Sequence, residues 1–170
     1  MNSAIEAITP ALRRYARALL GSVQDADDLV HDALLQALAT MRPSMPLNEL
    51  RPWLFTIMRN RFISDRRRAK YRRTIPIDDS DTGADALMYR VPATQEAGLR
   101  MRDLKAGLAA LPDEMREVLL LVTLENFTYV EVATMLDVPL GTVMSRLSRA
   151  RDRLRAAMDG STQPILRRVK

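Results

Sequence analysis

Cysteine is absent from the 170 residues, so the chain forms no disulfide and no thiolate-ligated metal site. With a single histidine, His31, it also lacks the imidazole cluster that most transition-metal centres need. Aromatic residues are scarce at 5%, while the hydrophobic 47% is largely Ala, Leu, Val and Met, a mixture that argues against a β-sandwich and suits helices. No apolar run approaches the ~18 residues of a membrane span. Met1 to Pro10 carries Glu6 and lacks the basic and apolar regions of an export signal. These absences lead to the expectation of a soluble chain in the reducing cytoplasm, with no membrane insertion and no cofactor. Phosphate-binding glycine loops, a dinucleotide fingerprint and a Ser/His/Asp set with an elbow glycine are also missing, so nothing supports catalysis.

What the chain has is positive charge, unevenly placed. Lys and Arg number 26 against 21 Asp and Glu, a net +5 that favours acidic partners, nucleic acid first among them. Nine bases lie between Arg51 and Arg73 against Asp65 alone. Beyond Thr74 the sign reverses with Asp78, Asp79, Asp81 and Asp85, and Pro76, Gly83 and Pro92 break any regular element. The expected architecture is therefore all-α: two small helical domains, 1–73 and 94–160, joined by a flexible acidic linker over 74–93 and followed by a basic tail over 161–170.

Helix signals fill both domains. Thr9-Pro10 predicts the start of a first helix that runs to Gly21, with Leu12, Tyr15, Ala16 and Leu19 as its apolar stripe. Ser22 with Asp25 predicts the start of a second, to about Met41. A third begins between Asn48 and Pro52 and runs to about Arg72, apolar nearly all round at first (Trp53, Leu54, Phe55, Ile57, Met58) and basic at its tail, so its first half must be buried. Met45 and Leu47, in the proline-stiffened loop before it, fit a core-capping role better than base stacking. In the second domain, Thr94 caps a helix to about Ala110 and Pro112 starts another to about Glu125. Thr128 and Glu131 form a capping box for a short helix to Leu136, and the last helix spans about Leu140 to Met158.

A short helix, a turn and a long basic helix have the shape of a helix-turn-helix. At about 100° per residue, Val143, Leu147, Ala150 and Leu154 make the inner stripe of the last helix. Ser145, Ser148 and Arg149 then lie opposite, with Thr142 and Met144 flanking them, where hydroxyls and a guanidinium can meet base edges. Arg146 and Arg153 sit on one shoulder and Arg151 and Arg155 on the other, placed to grip phosphates. A solvated amphipathic helix accounts for the last helix alone equally well; the capped helix and turn before it favour DNA. The tail Arg66, Arg67, Arg68, Lys70, Arg72 and Arg73 suits a helix C-terminus as solvated charge. Arg59, Asn60 and Arg61 extend it by two further turns and add an amide able to bond bases, which points to a second nucleic-acid surface. Asp25, Asp27, Asp28 and Asp32 at the start of the second helix complement its dipole; a weak metal signal or a basic protein partner are the other readings.

Two ordered segments carry a resemblance. Asp25 to Asp32, with Leu50 to Asn60 and Asp65 to Arg68, is similar to the sigma-two domain of the extracytoplasmic function (ECF) sigma factors, in the sigma-70 family of bacterial RNA polymerase sigma factors. Leu111-Pro112, Thr128 to Ala133 and Val138 to Arg151 are similar to that family's sigma-four domain. The resemblance implies a promoter-specificity subunit, not an enzyme, with a sigma-two-like bundle and a sigma-four-like helix-turn-helix. It implies that Asp27, Asp28, Leu29, Asp32 and Leu35 dock on core RNA polymerase. The loop from Pro43 to Asn48 with Arg59, Asn60 and Arg61 would open the minus-ten element, Arg66, Arg67 and Arg68 would grip promoter DNA, and Thr142, Ser145, Arg146, Ser148 and Arg149 would read the minus-thirty-five element. It further implies an anti-sigma factor as partner and a stress-response role, with the acidic linker threading the polymerase channel. Met144 departs from the Arg that many members place there. Two competing readings remain: a mimic that sequesters an anti-sigma protein without binding DNA, and a conventional helix-turn-helix repressor. The retained Arg146, Arg149 and Arg151 weigh against the first, and a buried Trp53 to Asn60 segment beside a basic tail against the second.

Overall fold

The computed structural model describes residues 2–41, 45–74 and 95–161, and it is all-helical over them. Seven helices follow in order: α1 Asn2–Leu20, α2 Val23–Thr40, α3 Leu47–Thr74, α4 Gln95–Ala110, α5 Asp113–Thr123, α6 Tyr129–Leu136 and α7 Leu140–Ser161. The acidic segment with Asp78, Asp79, Asp81 and Asp85, the residues 42–44 and the basic tail from Thr162 lie outside the described residues.

In the N-terminal unit α1 packs on α2 and α2 on α3. Leu12, Tyr15, Ala16, Leu19, Ala26, Val30 and Ala33 are buried, and from α3 so are Leu54, Phe55 and Met58, as the apolar first half of that helix requires; Trp53 is half-buried. Met45 packs partly buried against this core. Tyr15 and Phe55 meet edge to face at 5.4 Å. The Ser22 hydroxyl caps α2 by accepting from the Asp25 N–H at 3.3 Å. Gly21, at φ 75°, supplies the left-handed turn that stops α1.

The start of α1 differs from the expectation. The helix begins at Asn2 and carries Pro10 inside it, so Thr9 is not its cap. Ile5 is buried and Ile8 partly so, in register with Leu12, Tyr15 and Leu19; this continuous apolar stripe outweighs the hydrogen bond Pro10 cannot make. The Thr9 hydroxyl instead donates to the Ile5 carbonyl at 2.8 Å.

The C-terminal unit packs α4, α5 and α6 around α7. Its core joins Val118 and Leu121 of α5, Val132, Met135 and Leu136 of α6, and Val143, Leu147 and Ala150 of α7. The capping box at Thr128 and Glu131 is complete, with the Thr128 N–H and hydroxyl both donating to the Glu131 carboxylate. Those two bonds hold the Glu131 carboxyl below its usual range. Asp137, in the left-handed region at φ 52°, turns the chain from α6 into α7. The two units touch: α1 packs on α5 and α4, and α3 on α6.

Candidate nucleic-acid interface and the seam beside it

On α7 the inner stripe is Val143, Leu147 and Ala150, all buried, with Leu154 half-buried behind them. Ser145, Ser148 and Arg149 are turned to solvent and Thr142 is half-buried at the helix start. The Ser145 hydroxyl donates to the Thr142 carbonyl at 3.1 Å, which leaves its oxygen lone pairs facing out as acceptors. Met144 is 52% exposed beside them, a large apolar side chain among polar groups. Arg149, Arg151, Arg153 and Arg155 are exposed and, among the described residues, have no carboxylate partner, whereas Arg146 is held by Glu114 of α5. Four of the five groups expected to read DNA from α7 thus share one face with no side-chain partner; Arg146 stands apart as a brace to α5.

The basic helix α3 is less free. Arg61 is taken by Asp32 of α2 at 2.7 Å and lies 3.7 Å from Asp65, Arg59 lies 3.7 Å from Glu117 of α5, and Arg66 lies 3.2 Å from Asp113 of α5. Asn60, Arg67 and Arg68 remain exposed. Arg59, Asn60, Ile63, Ser64 and Arg67 form one wall of a cleft of about 410 Å³ whose other wall is Leu136 and Asp137, at the turn into α7. Arg59 and Asn60, two of the residues expected to handle the minus-ten element, therefore line the meeting of the two units.

Three acids of the C-terminal unit meet basic residues of the N-terminal unit along this seam. The Glu125 side chain is fully buried. Arg14 donates to it through Nε and Nη2, both at 3.0 Å, and Arg51 donates to its carboxylate at 3.0 Å and to its backbone carbonyl at 2.8 Å. The Arg51 guanidinium also lies 4.3 Å from the centre of the Phe127 ring, and Phe127 meets Phe55 edge to face at 5.1 Å. Arg116 donates to the carbonyls of Leu108, Ala109 and Leu111 and, across the seam, to that of Leu19 at 2.8 Å. Burial lowers the Arg116 pKa from its ordinary value, although these acceptors satisfy the guanidinium.

Of the acidic patch on α2, Asp28 and Leu35 are exposed, Leu35 by 53%, with Leu38 at 55% one turn further on. Asp27 faces Arg13 and Arg17, and Asp32 faces Arg61, so two of these acids already have basic neighbours. Leu29 requires a correction: at 5% exposure it belongs to the core under α2, because its place in the apolar stripe with Ala26, Val30 and Ala33 turns it inward.

Glu125, Glu117 and Arg116 were missed as site residues. The one available signal was a pair of charges, Arg116 and Glu117, set immediately before the apolar run from Val118 to Val122.

Comparison with known proteins completes the picture. Residues 5–59 match the model of the Sigma2 domain of PhyR, and residues 101–154 match that of Sigma-70, region 4. The ECF RNA polymerase sigma factor EcfG of Rhodopseudomonas palustris is 39% identical over 154 residues, 91% of this chain and 82% of that protein. The ECF RNA polymerase sigma factor SigM of Mycobacterium tuberculosis is 34% identical over 84% of this chain and 69% of its own. Among solved structures, the sigma factor RpoE in complex with the anti-sigma factor NepR from Bartonella quintana superposes with a TM-score of 0.72 at 28% identity, covering 93% of this chain and 96% of that one.

Proposed function

The chain belongs to the ECF sigma factors of the sigma-70 family, and from that premise we propose that it binds core RNA polymerase in the cytoplasm and directs it to a set of stress-response promoters, under the control of an anti-sigma factor. The observation that carries this reading is the outward face of α7, where Ser145, Ser148 and Arg149 stand free of side-chain partners while the opposite side of the same helix is core. A phosphate-gripping flank of Arg151, Arg153 and Arg155 beside base-reading hydroxyls and a guanidinium suits an upstream promoter element in the major groove.

In this reading residues 1–73 bind polymerase and the minus-ten region, 74–93 connect, 94–160 read the minus-thirty-five region, and 161–170 are a basic tail. Asp28 and Leu35, with Asp27 and Asp32 behind them, dock on polymerase. Asn60, Arg67 and Arg68 meet promoter DNA directly. Arg59, Arg61 and Arg66 join them only after leaving the acidic side chains of Glu117, Asp32 and Asp113 for phosphates. The packed arrangement is thus the resting form, and the seam must part for Arg59 and Arg66 of α3 to work. The similarity to a sigma factor solved with an anti-sigma factor supports control by such a partner.

The test is run-off transcription with purified core polymerase and this chain on a genomic promoter pool. New, discrete start sites are expected. Arg149→Ala is expected to weaken use of those promoters about tenfold through the upstream element while leaving core binding unchanged. A folded chain, free of inhibitor, that yields no new start site overturns the proposal; if it nevertheless captures an anti-sigma protein, it is a mimic.

A further inference from the structure

Three buried polar atoms at the seam have no hydrogen-bond partner: Tyr15 Oη from α1, Arg59 Nε from α3 and Glu117 Oε1 from α5. Elsewhere in the seam the charges are closed off, Glu125 by Arg14 and Arg51, and Arg116 by four carbonyls. Glu117 differs. Its side chain is 5% exposed, and Arg59 Nε, at 3.7 Å, stands beyond hydrogen-bonding distance. A buried carboxylate without donors bears the full cost of leaving water, whereas the neutral acid bears little.

We propose that Glu117 is a proton-operated catch: the seam closes with Glu117 as the neutral acid, and the two units part when its proton leaves. The surroundings fit. From α1 Glu117 faces Tyr15, from α3 Arg59, from α7 Arg146, and from α5 itself Asp113 and Glu114. Arg59 is the main group that opposes a charge on Glu117; Arg146, shared with Glu114, adds less, and the neighbouring Arg116 is held by carbonyls and by Asp113. Burial pushes the Glu117 carboxyl up to about 7 against the pull of Arg59 and, more weakly, of Arg146. Burial likewise raises the Tyr15 hydroxyl, helped by Glu117 itself.

The direction of the effect follows. In the parted form Glu117 meets water and titrates near 4.5, its ordinary value. Below that pH it is protonated in both forms and biases neither. Between there and about 7 parting releases a proton, so each rise in pH favours the open form. Above that window the bias is complete, on the order of a hundredfold. His31, the one imidazole of the chain, is exposed on α2 and is not among the groups facing Glu117.

The inference concerns the seam alone and needs neither polymerase nor DNA, so its failure leaves the sigma reading untouched. Small-angle X-ray scattering of the full chain at pH 5.5 and pH 8.0, at one ionic strength, tests it. The wild type is expected to be compact at the lower pH and larger at the higher. Glu117→Gln and Glu117→Met, neutral at both, are expected to stay compact, and Tyr15→Phe to keep the wild-type response. An unchanged wild-type radius, or the wild-type expansion in whichever Glu117 variant retains its helical circular dichroism, overturns the proposal.

Discussion

Single side chains decide both what this molecule displays and what it hides. Placing Ser145, Ser148 and Arg149 outward required only the 100° step of a helix and the apolar residues at Val143, Leu147 and Ala150, so that face was legible from the sequence. Glu125 was not: in sequence it is one more acid after an apolar run, and its burial depends on Arg14 and Arg51, which lie 111 and 74 residues away. Leu29 was misassigned for a related reason, since matching a motif does not say which way a side chain faces. Glu125→Ala is expected to weaken the seam by about 2 kcal/mol, at the low end for a buried pair because Arg14 is half exposed and regains water. Comparing the fraction of compact chain in wild type and variant by scattering checks this. Met144 gives a prediction of a different kind. On the face proposed to read bases an exposed apolar group fits the C5-methyl of thymine, so replacing thymines of the upstream element by deoxyuridine, which removes that methyl alone, is expected to weaken holoenzyme binding several-fold. With Met144→Ala the same base replacement is expected to have no effect.

At the scale of elements, local chemistry predicted the starts of α2, α6 and α7 well, because each is set by residues within one turn of it. Ser22 and Thr128 are caps in the structure as in the sequence. Pro10 misled because a proline is a local signal, whereas the stripe from Ile5 to Leu19 is satisfied by packing across the bundle. The completed box at α6 supports the front of the helix-turn-helix. Thr128→Ala is expected to cost about 1 kcal/mol of stability, seen by denaturant melting at neutral pH. Hydrogen bonds from Thr128 hold the Glu131 carboxyl down, so their contribution is present above its ordinary pKa and fades as the pH falls through the lowered one. The penalty of Thr128→Ala is therefore expected to shrink in acid; a penalty constant down to pH 2.5 contradicts the box as the source.

For the whole molecule, charge segregation along the chain announced two basic surfaces, but not that one of them would be covered by the acids of the other unit. Arg59 and Arg66 are expected from the sequence to meet DNA, and in the free chain the acidic residues Glu117 and Asp113 of α5 stand against them. Such a relation between units depends on surface complementarity over the whole seam, which no window of sequence contains. On the acid side of the Glu117 transition, near pH 7, a chain that is closed when free and open when engaged is therefore expected. With no cysteine of its own, the chain accepts a clean pair of dyes at Ala39→Cys on α2 and Ala156→Cys on α7, both exposed. Energy transfer between them, followed at pH 6, where Glu117 is still protonated in the closed chain, as core polymerase and then promoter DNA are added, is the most direct measurement. A fall in transfer that accompanies transcript formation is the predicted result; transcripts made with transfer unchanged would contradict a seam that must part.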